Sequence, residues 1–222
     1  MIARKPLFTA LLVPLLLMRG FVVAQQTNDA VGRKTSELYK GDLSIFENTN
    51  RDAKLQIDRV MDLLRIKRGS HVADIGAGSG WFTVRSARRV GKEGVIYAVE
   101  INRDYLRHIR RRAAREKLEN VRTILGKPDD PLLPAESVDA VLLLKTYHEI
   151  AEPIRLLRHL HNALRPGARL GIIDRNGNGS DHGLNAEVVI DEARRAGYAL
   201  VQQEDFVKAD GMDYFLIFEQ VK

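Results

Sequence analysis

From Ser70 onward, short β-branched and aliphatic runs alternate with amphipathic helical patterns, and this alternation limits the fold of the 222-residue chain more than any other feature. The spacing predicts strands at His71–Ile75, Val95–Glu100, Val121–Leu125, Val138–Leu144, Leu170–Ile173, Tyr198–Gln203 and Tyr214–Glu219. Helices are predicted at about Trp81–Val90, Arg103–Lys117, Ile154–Leu164 and Ala186–Ala196. Repeated strand–helix units need a parallel sheet covered on both faces, because the helix is what carries the chain back to start the next parallel strand. The last two strands have no helix between them and must run antiparallel. The expectation is therefore one doubly wound α/β domain over 51–222, mostly parallel, with an antiparallel C-terminal strand. Upstream, Ala53, Ile57, Val60, Met61 and Leu64 recur at helical spacing, and Lys67-Arg68-Gly69-Ser70 closes that helix.

Composition removes several chemistries. With no cysteine, disulfide scaffolds, thiolate zinc sites, iron–sulfur clusters and cysteine nucleophiles are excluded. Lysine and arginine number 35 against 29 acids, a formal charge of +6. Three of those positives, Arg4, Lys5 and Arg19, sit in a leading segment that reads as a secretory signal. Its basic start precedes an apolar run from Leu7 to Met18, and the small residues Val22 and Ala24 stand before Gln25. The run is shorter than the roughly 20 residues of a membrane-spanning helix. The expectation is cleavage after Ala24, an exported (periplasmic or secreted) protein if the signal works and a cytoplasmic one otherwise, with no stable membrane span after cleavage. Residues 25–50 are polar and turn-rich, with Tyr39, Ile45 and Phe46 as apolar anchors, and read as a lid or irregular arm. The remaining excess of charge does not call for a nucleic-acid partner.

Val72-Ala73-Asp74-Ile75-Gly76-Ala77-Gly78-Ser79-Gly80 stands between the first predicted strand and the first helix after it. Glycines there let the backbone turn tightly and approach a ligand, while the helix N-terminal amides point at it. A dinucleotide fingerprint needs its third glycine where this chain has Trp81, which disfavours a nicotinamide oxidoreductase. Glu100 falls at the end of the second strand, where a carboxylate accepts hydrogen bonds from both hydroxyls of a ribose.

These residues resemble the class I S-adenosylmethionine-dependent methyltransferases over roughly Leu55 to Phe218. Asp74-Ile75-Gly76-Ala77-Gly78-Ser79-Gly80, Glu100, Leu133-Pro134 ahead of Ser137-Val138-Asp139, and Leu164-Arg165-Pro166-Gly167-Ala168-Arg169-Leu170 carry the likeness. The last two look like the small-molecule group that includes the quinone-biosynthesis methyltransferases. The resemblance implies a Rossmann-like seven-stranded sheet and S-adenosyl-L-methionine as cofactor. It puts the donor methionine near Asp74, Gly76, Ala77, Gly78 and Gly80, and the ribose on Glu100. Adenine would lie beside Ile101 and the loop Gly126 to Asp130, with Lys145 also on the cofactor side. Lys127-Pro128 intervenes before Asp129 and Asp130, so both acids stay candidates for the adenine amino group. The implied partner is a small-molecule or lipid-like acceptor, and no feature specifies an oligomeric state.

Lys145-Thr146-Tyr147-His148-Glu149 follows the fourth strand at the edge where acceptors lie. His148 is the candidate base and Glu149 the group that orients it. The alternative is that both only line the pocket, since methyl transfer depends largely on alignment. His159 and His161 are two apart on a helix and face different directions. Asp174-Arg175-Asn176-Gly177-Asn178-Gly179 matches half of a calcium loop, but Asn185 stands where a glutamate must close the cage. No metal site is expected. The arginines of 103–115 fall on a solvated face opposite Leu106, Ile109 and Ala113. The function expected is methyl transfer, with a non-catalytic nucleotide- or S-adenosylmethionine-binding sensor or partner protein as the alternative.

Overall fold

The computed structural model describes residues 32–37, 39, 41–47 and 49–221; the expected signal segment 1–24 and the first part of the arm lie outside the described residues. Seven strands form one sheet: β1 His71–Ile75, β2 Val95–Glu100, β3 Val121–Leu125, β4 Val138–Leu144, β5 Leu164–Asp174, β6 Tyr198–Glu204 and β7 Tyr214–Gln220. Their order is β3-β2-β1-β4-β5-β7-β6. The first five are parallel, while β7 runs antiparallel to both β5 and β6. Sequence order alone would put β6 beside β5. Burial explains the reversal: Tyr214 to Phe218 are all buried and need a neighbour on each side, whereas most of β6 is exposed and suits an edge.

The helices are α1 Arg51–Leu55, α2 Ile57–Leu63, α3 Trp81–Val90, α4 Arg103–Arg115, α5 Pro153–Ala163 and α6 Ala186–Arg195. On one sheet face α1, α2 and α3 bury Leu55, Val60, Met61, Leu64 and Phe82 against Val72, Ile96, Leu142 and Phe215. On the other, α5 and α6 bury Leu157, Leu160 and Val189 against Val141, Leu143 and Ile172. Both faces are thus covered, as parallel strands require.

Two expectations change in detail. The single helix expected over 53–64 is broken at Gln56, whose backbone is left-handed (φ 49°, ψ 54°). The break lets Leu55 and Ile57 both reach the core and leaves Ala53 exposed. β5 begins at Leu164 rather than Leu170, because Leu164 pairs with Val138 ahead of a register shift that absorbs the Arg-Pro-Gly turn. Among the described residues no helix is long and apolar enough to cross a membrane.

Candidate functional site

A cavity of about 810 Å³ opens at the carboxyl ends of β1, β2 and β4, where crossovers to opposite sides of the sheet part and leave a crevice. The loop after β1 forms its floor. Gly76 and Ala77 donate their N–H groups to the carbonyl of Val99 (2.9 and 3.1 Å), which staples the loop to the end of β2. Gly76 has φ +68°, and a Cβ there would overlap Thr146, with Oγ1 2.6 Å away. Gly78 has φ +54° and no heavy atom nearer than 3.9 Å to a built Cβ, so a side chain would extend into the cavity it lines. Ala77 also lines it. Gly80 does not: it begins α3, and its built Cβ meets Ile109 of α4 at 3.1 Å.

Two acids face this floor. Asp74 is 2% exposed and accepts a hydrogen bond from the Thr83 hydroxyl at 2.6 Å. Burial pushes its carboxyl up to about 7, opposed by the Thr83 hydroxyl and assisted by the charge of Glu100. Glu100 is buried at the end of β2, where Oε2 accepts from Asn102 N–H at 3.0 Å and Oε1 from Gly78 N–H at 3.4 Å. Burial raises its carboxyl too, against the pull of those amides. A carboxylate has about four lone-pair positions, so two backbone amides leave capacity for a pair of hydroxyls. That spare capacity and the space above Gly78 fit a ribose-bearing cofactor, which Asp74, the loop and Glu100 could hold.

Beyond Glu100, the cavity wall continues through Ile101, Tyr105, Lys127, Pro128 and Pro131. Asp129 and Asp130, the two acids expected at the adenine, are not part of that wall. The Asp129 carboxylate pairs with Arg155 of α5 at 3.0 Å, and its carbonyl accepts from His159 Nδ1 at 2.8 Å. Asp130 accepts from Leu132 N–H at 2.9 Å and faces the same histidine at 3.8 Å. The tight Lys127–Asp130 bridge turns both side chains toward α5 and presents Lys127 and Pro128 instead. The sequence carries no sign of this turn beyond its proline.

At the other end, β4 runs into the turn Tyr147–Glu149. Lys145, left-handed at φ 56°, and Glu149 line the cavity, whereas His148 is 1% exposed and stands behind Glu149. Its Nδ1 lies 2.9 and 3.0 Å from the two oxygens of Asp174, the fully buried last residue of β5. A carboxylate accepts, so Nδ1 carries the hydrogen, while Nε2 lies 4.0 Å from Glu149 Oε1. Glu149 was expected to orient His148; Asp174 does so instead, from 26 residues away. Burial raises the Glu149 carboxyl, against the pull of His148. The loop after Asp174 is no calcium cage: Asn176 and Asp181 spend side-chain oxygens on the N–H groups of Ala186 and Asn178.

The arm walls this end. Arg33 N–H donates to Ala151 at 2.9 Å, and its guanidinium pairs with Glu192 at 2.6 Å and donates to the Tyr147 carbonyl. Ser36 Oγ accepts from His182 N–H at 2.8 Å, while Thr35, Tyr39 and Phe46 line the cavity. One arginine of α4 departs from the expected solvated face: Arg112 is largely buried, pairs with Glu47 of the arm and donates to the Ser79 carbonyl at 3.1 Å.

A family model described as "Methyltransferase domain" matches residues 72–167. The demethylmenaquinone methyltransferase of Listeria monocytogenes serotype 4a (strain HCC23) is 26% identical over 114 residues, 51% of this chain and 48% of that protein. The ubiquinone/menaquinone biosynthesis C-methyltransferase of Pasteurella multocida (strain Pm70) is 27% identical over 120 residues, 51% of this chain and 43% of that one. The chain thus spans about half the length of the curated relatives it matches. Among solved structures, a SAM-dependent methyltransferase from Aquifex aeolicus superposes with a TM-score of 0.72 at 22% identity, covering 82% of this chain and all (100%) of that one. The [4+2]-cyclase SpnF superposes at 0.65 and 18% identity, over 84% and 88% of the two chains; at such identities the likeness is one of fold.

Proposed function

We propose, from the premise that the chain belongs to the class I S-adenosylmethionine-dependent methyltransferases by family match and by fold, that it transfers the donor's methyl group to a small-molecule or lipid-like acceptor. The observation that carries the reading is the meeting of Glu100 and the bare backbone of Gly78 across the crevice between β1 and β2. When bound, S-adenosylmethionine supplies an electrophilic methyl on a positively charged sulfur. In this reading Glu100 receives the ribose hydroxyls, Asp74 and the loop 76–79 hold the methionine part, and Ile101, Lys127 and Pro128 flank the base. Glu149 is the polar group offered to the acceptor, and the buried Asp174–His148 pair supports it from behind. Thr35, Tyr39 and Phe46 keep water from the reacting end, which strengthens every electrostatic contact inside. The likeness to quinone-biosynthesis relatives favours a ring-bearing, lipid-like acceptor.

Isothermal titration with S-adenosylmethionine and its demethylated product tests the donor site, and release of labelled methyl into fractionated extract tests the transfer. Donor binding with no transfer to any fraction would favour the sensor reading. The basic start, apolar run and Ala24 further lead us to place the mature chain, from Gln25, outside the cytoplasm. N-terminal sequencing of cell fractions decides it, since an intact Met1 in the cytosol refutes export.

A further inference from the structure

We propose that His148, Glu149 and His182 form a binding site for one divalent transition-metal cation beside the acceptor end of the cavity, which Glu149 lines. One ligand atom from each residue lies within 4.8 Å of the other two. Two imidazoles and a carboxylate suit zinc, iron(II) or cobalt(II), and leave further positions open. Metal–ligand bonds of about 2.1 Å put neighbouring ligand atoms about 3 to 3.5 Å apart, so the cluster has at most about 2 Å to close. The means to do so are present. His182 sits on an exposed loop with its ring edge-on to that of His148, the centroids 5.8 Å apart, and Glu149 is partly exposed.

A second, independent observation concerns Asp174. This fully buried carboxylate accepts from His148 Nδ1 and from the amides of His148 and Arg175. A carboxylate on the far nitrogen of a ligating histidine is the usual support of such a ligand. Asp174 and Glu149 together would balance a divalent charge. The backbone that presents His182 is also held: Ser36 Oγ takes its N–H, and Arg175 Nε donates to its carbonyl at 2.8 Å. His182 is left-handed there (φ 60°), which points to a position set by the loop rather than by local preference.

The test uses the untagged full-length protein, stripped with chelator and titrated with cobalt(II) alone. We expect a visible d–d absorption that saturates at one equivalent and is displaced by zinc. It should vanish in His182→Ala, which alters an exposed loop residue and leaves the core intact, and Asp174→Asn should weaken affinity about 10- to 100-fold. The absence of a saturable band, or a band unchanged in His182→Ala, overturns the proposal. Calorimetric binding of S-adenosylhomocysteine to the same metal-free protein separates this from the methyl-transfer reading. Donor binding without cobalt binding refutes only the metal site, and cobalt binding without donor binding refutes only the transferase.

Discussion

At the donor end, most of the groups that face the cavity come from two short stretches, 74–79 and 100–105, each a strand end running into a helix, with Lys127, Pro128 and Pro131 completing the wall. At the acceptor end they are Thr35, Tyr39 and Phe46 of the arm and, after β4, Lys145, Thr146 and 149–151, held from behind by pieces far apart in sequence: Arg33 on Glu192 of α6, Asp174 on His148, and Ser36 on the loop at His182. The glycine-loop end is mostly backbone, held by Gly76 and Ala77 on Val99 and by Glu100 on two amides. The acceptor wall is mostly side chain, with partners 26 to 159 residues apart. A local, backbone-built site can be disabled without unfolding the chain, whereas a wall of long-range side-chain contacts couples specificity to stability.

The largest effect is expected for Gly78→Val. Its φ disfavours a β-branched residue and its side chain would enter the cavity, so donor affinity should fall more than about 100-fold, about 3 kcal/mol, with little loss of structure. Calorimetry and circular dichroism read the two halves of that statement, and unchanged affinity would break the donor-end assignment. Next, Glu100→Ala removes a charged acceptor and should cost about 1.5 to 3 kcal/mol of donor binding. A loss smaller than about threefold would move the ribose elsewhere.

Asp74 sharpens the comparison through pH. Its folded carboxyl titrates at about 7 against an ordinary 3.8, so its contribution to stability is greatest below about pH 4 and is lost as pH rises to 7. Asp74→Asn keeps an acceptor for Thr83 and removes the buried charge. The variant should be more stable than wild type by about 2 kcal/mol at pH 8 and no more stable near pH 4, while binding donor more weakly. Thermal melts at the two pH values check the sign. The smallest effect is Arg33→Ala, which unhooks the arm from Glu192 and Tyr147. It should cost about 1 kcal/mol of stability and raise the KM for acceptor, leaving donor affinity within about threefold. A large loss of donor binding would show that the two ends are not separable.

Periodicity alone located all seven strands, with only the start of β5 misplaced by six residues, together with the α/β class and the antiparallel close, because alternating units have few ways to cover both sheet faces. The glycine loop and Glu100 were legible for the same reason that they form a local site: strand end, tight turn and helix start are written in consecutive residues. The break at Gln56 was not, since it answers to where Leu55 and Ile57 must each be buried. Nor was the placement of Asp129 and Asp130, which follows from α5 presenting Arg155 and His159 to them. Asp174 was read only as part of a loop, and nothing near it in the chain announces His148. Sequence determined the sheet and the glycine-loop end of the cavity through short-range backbone geometry. Tertiary structure decided which carboxylate holds His148, where the arm lies and which arginine of α4 turns inward, because partners remote in the chain meet only once the strands are in register.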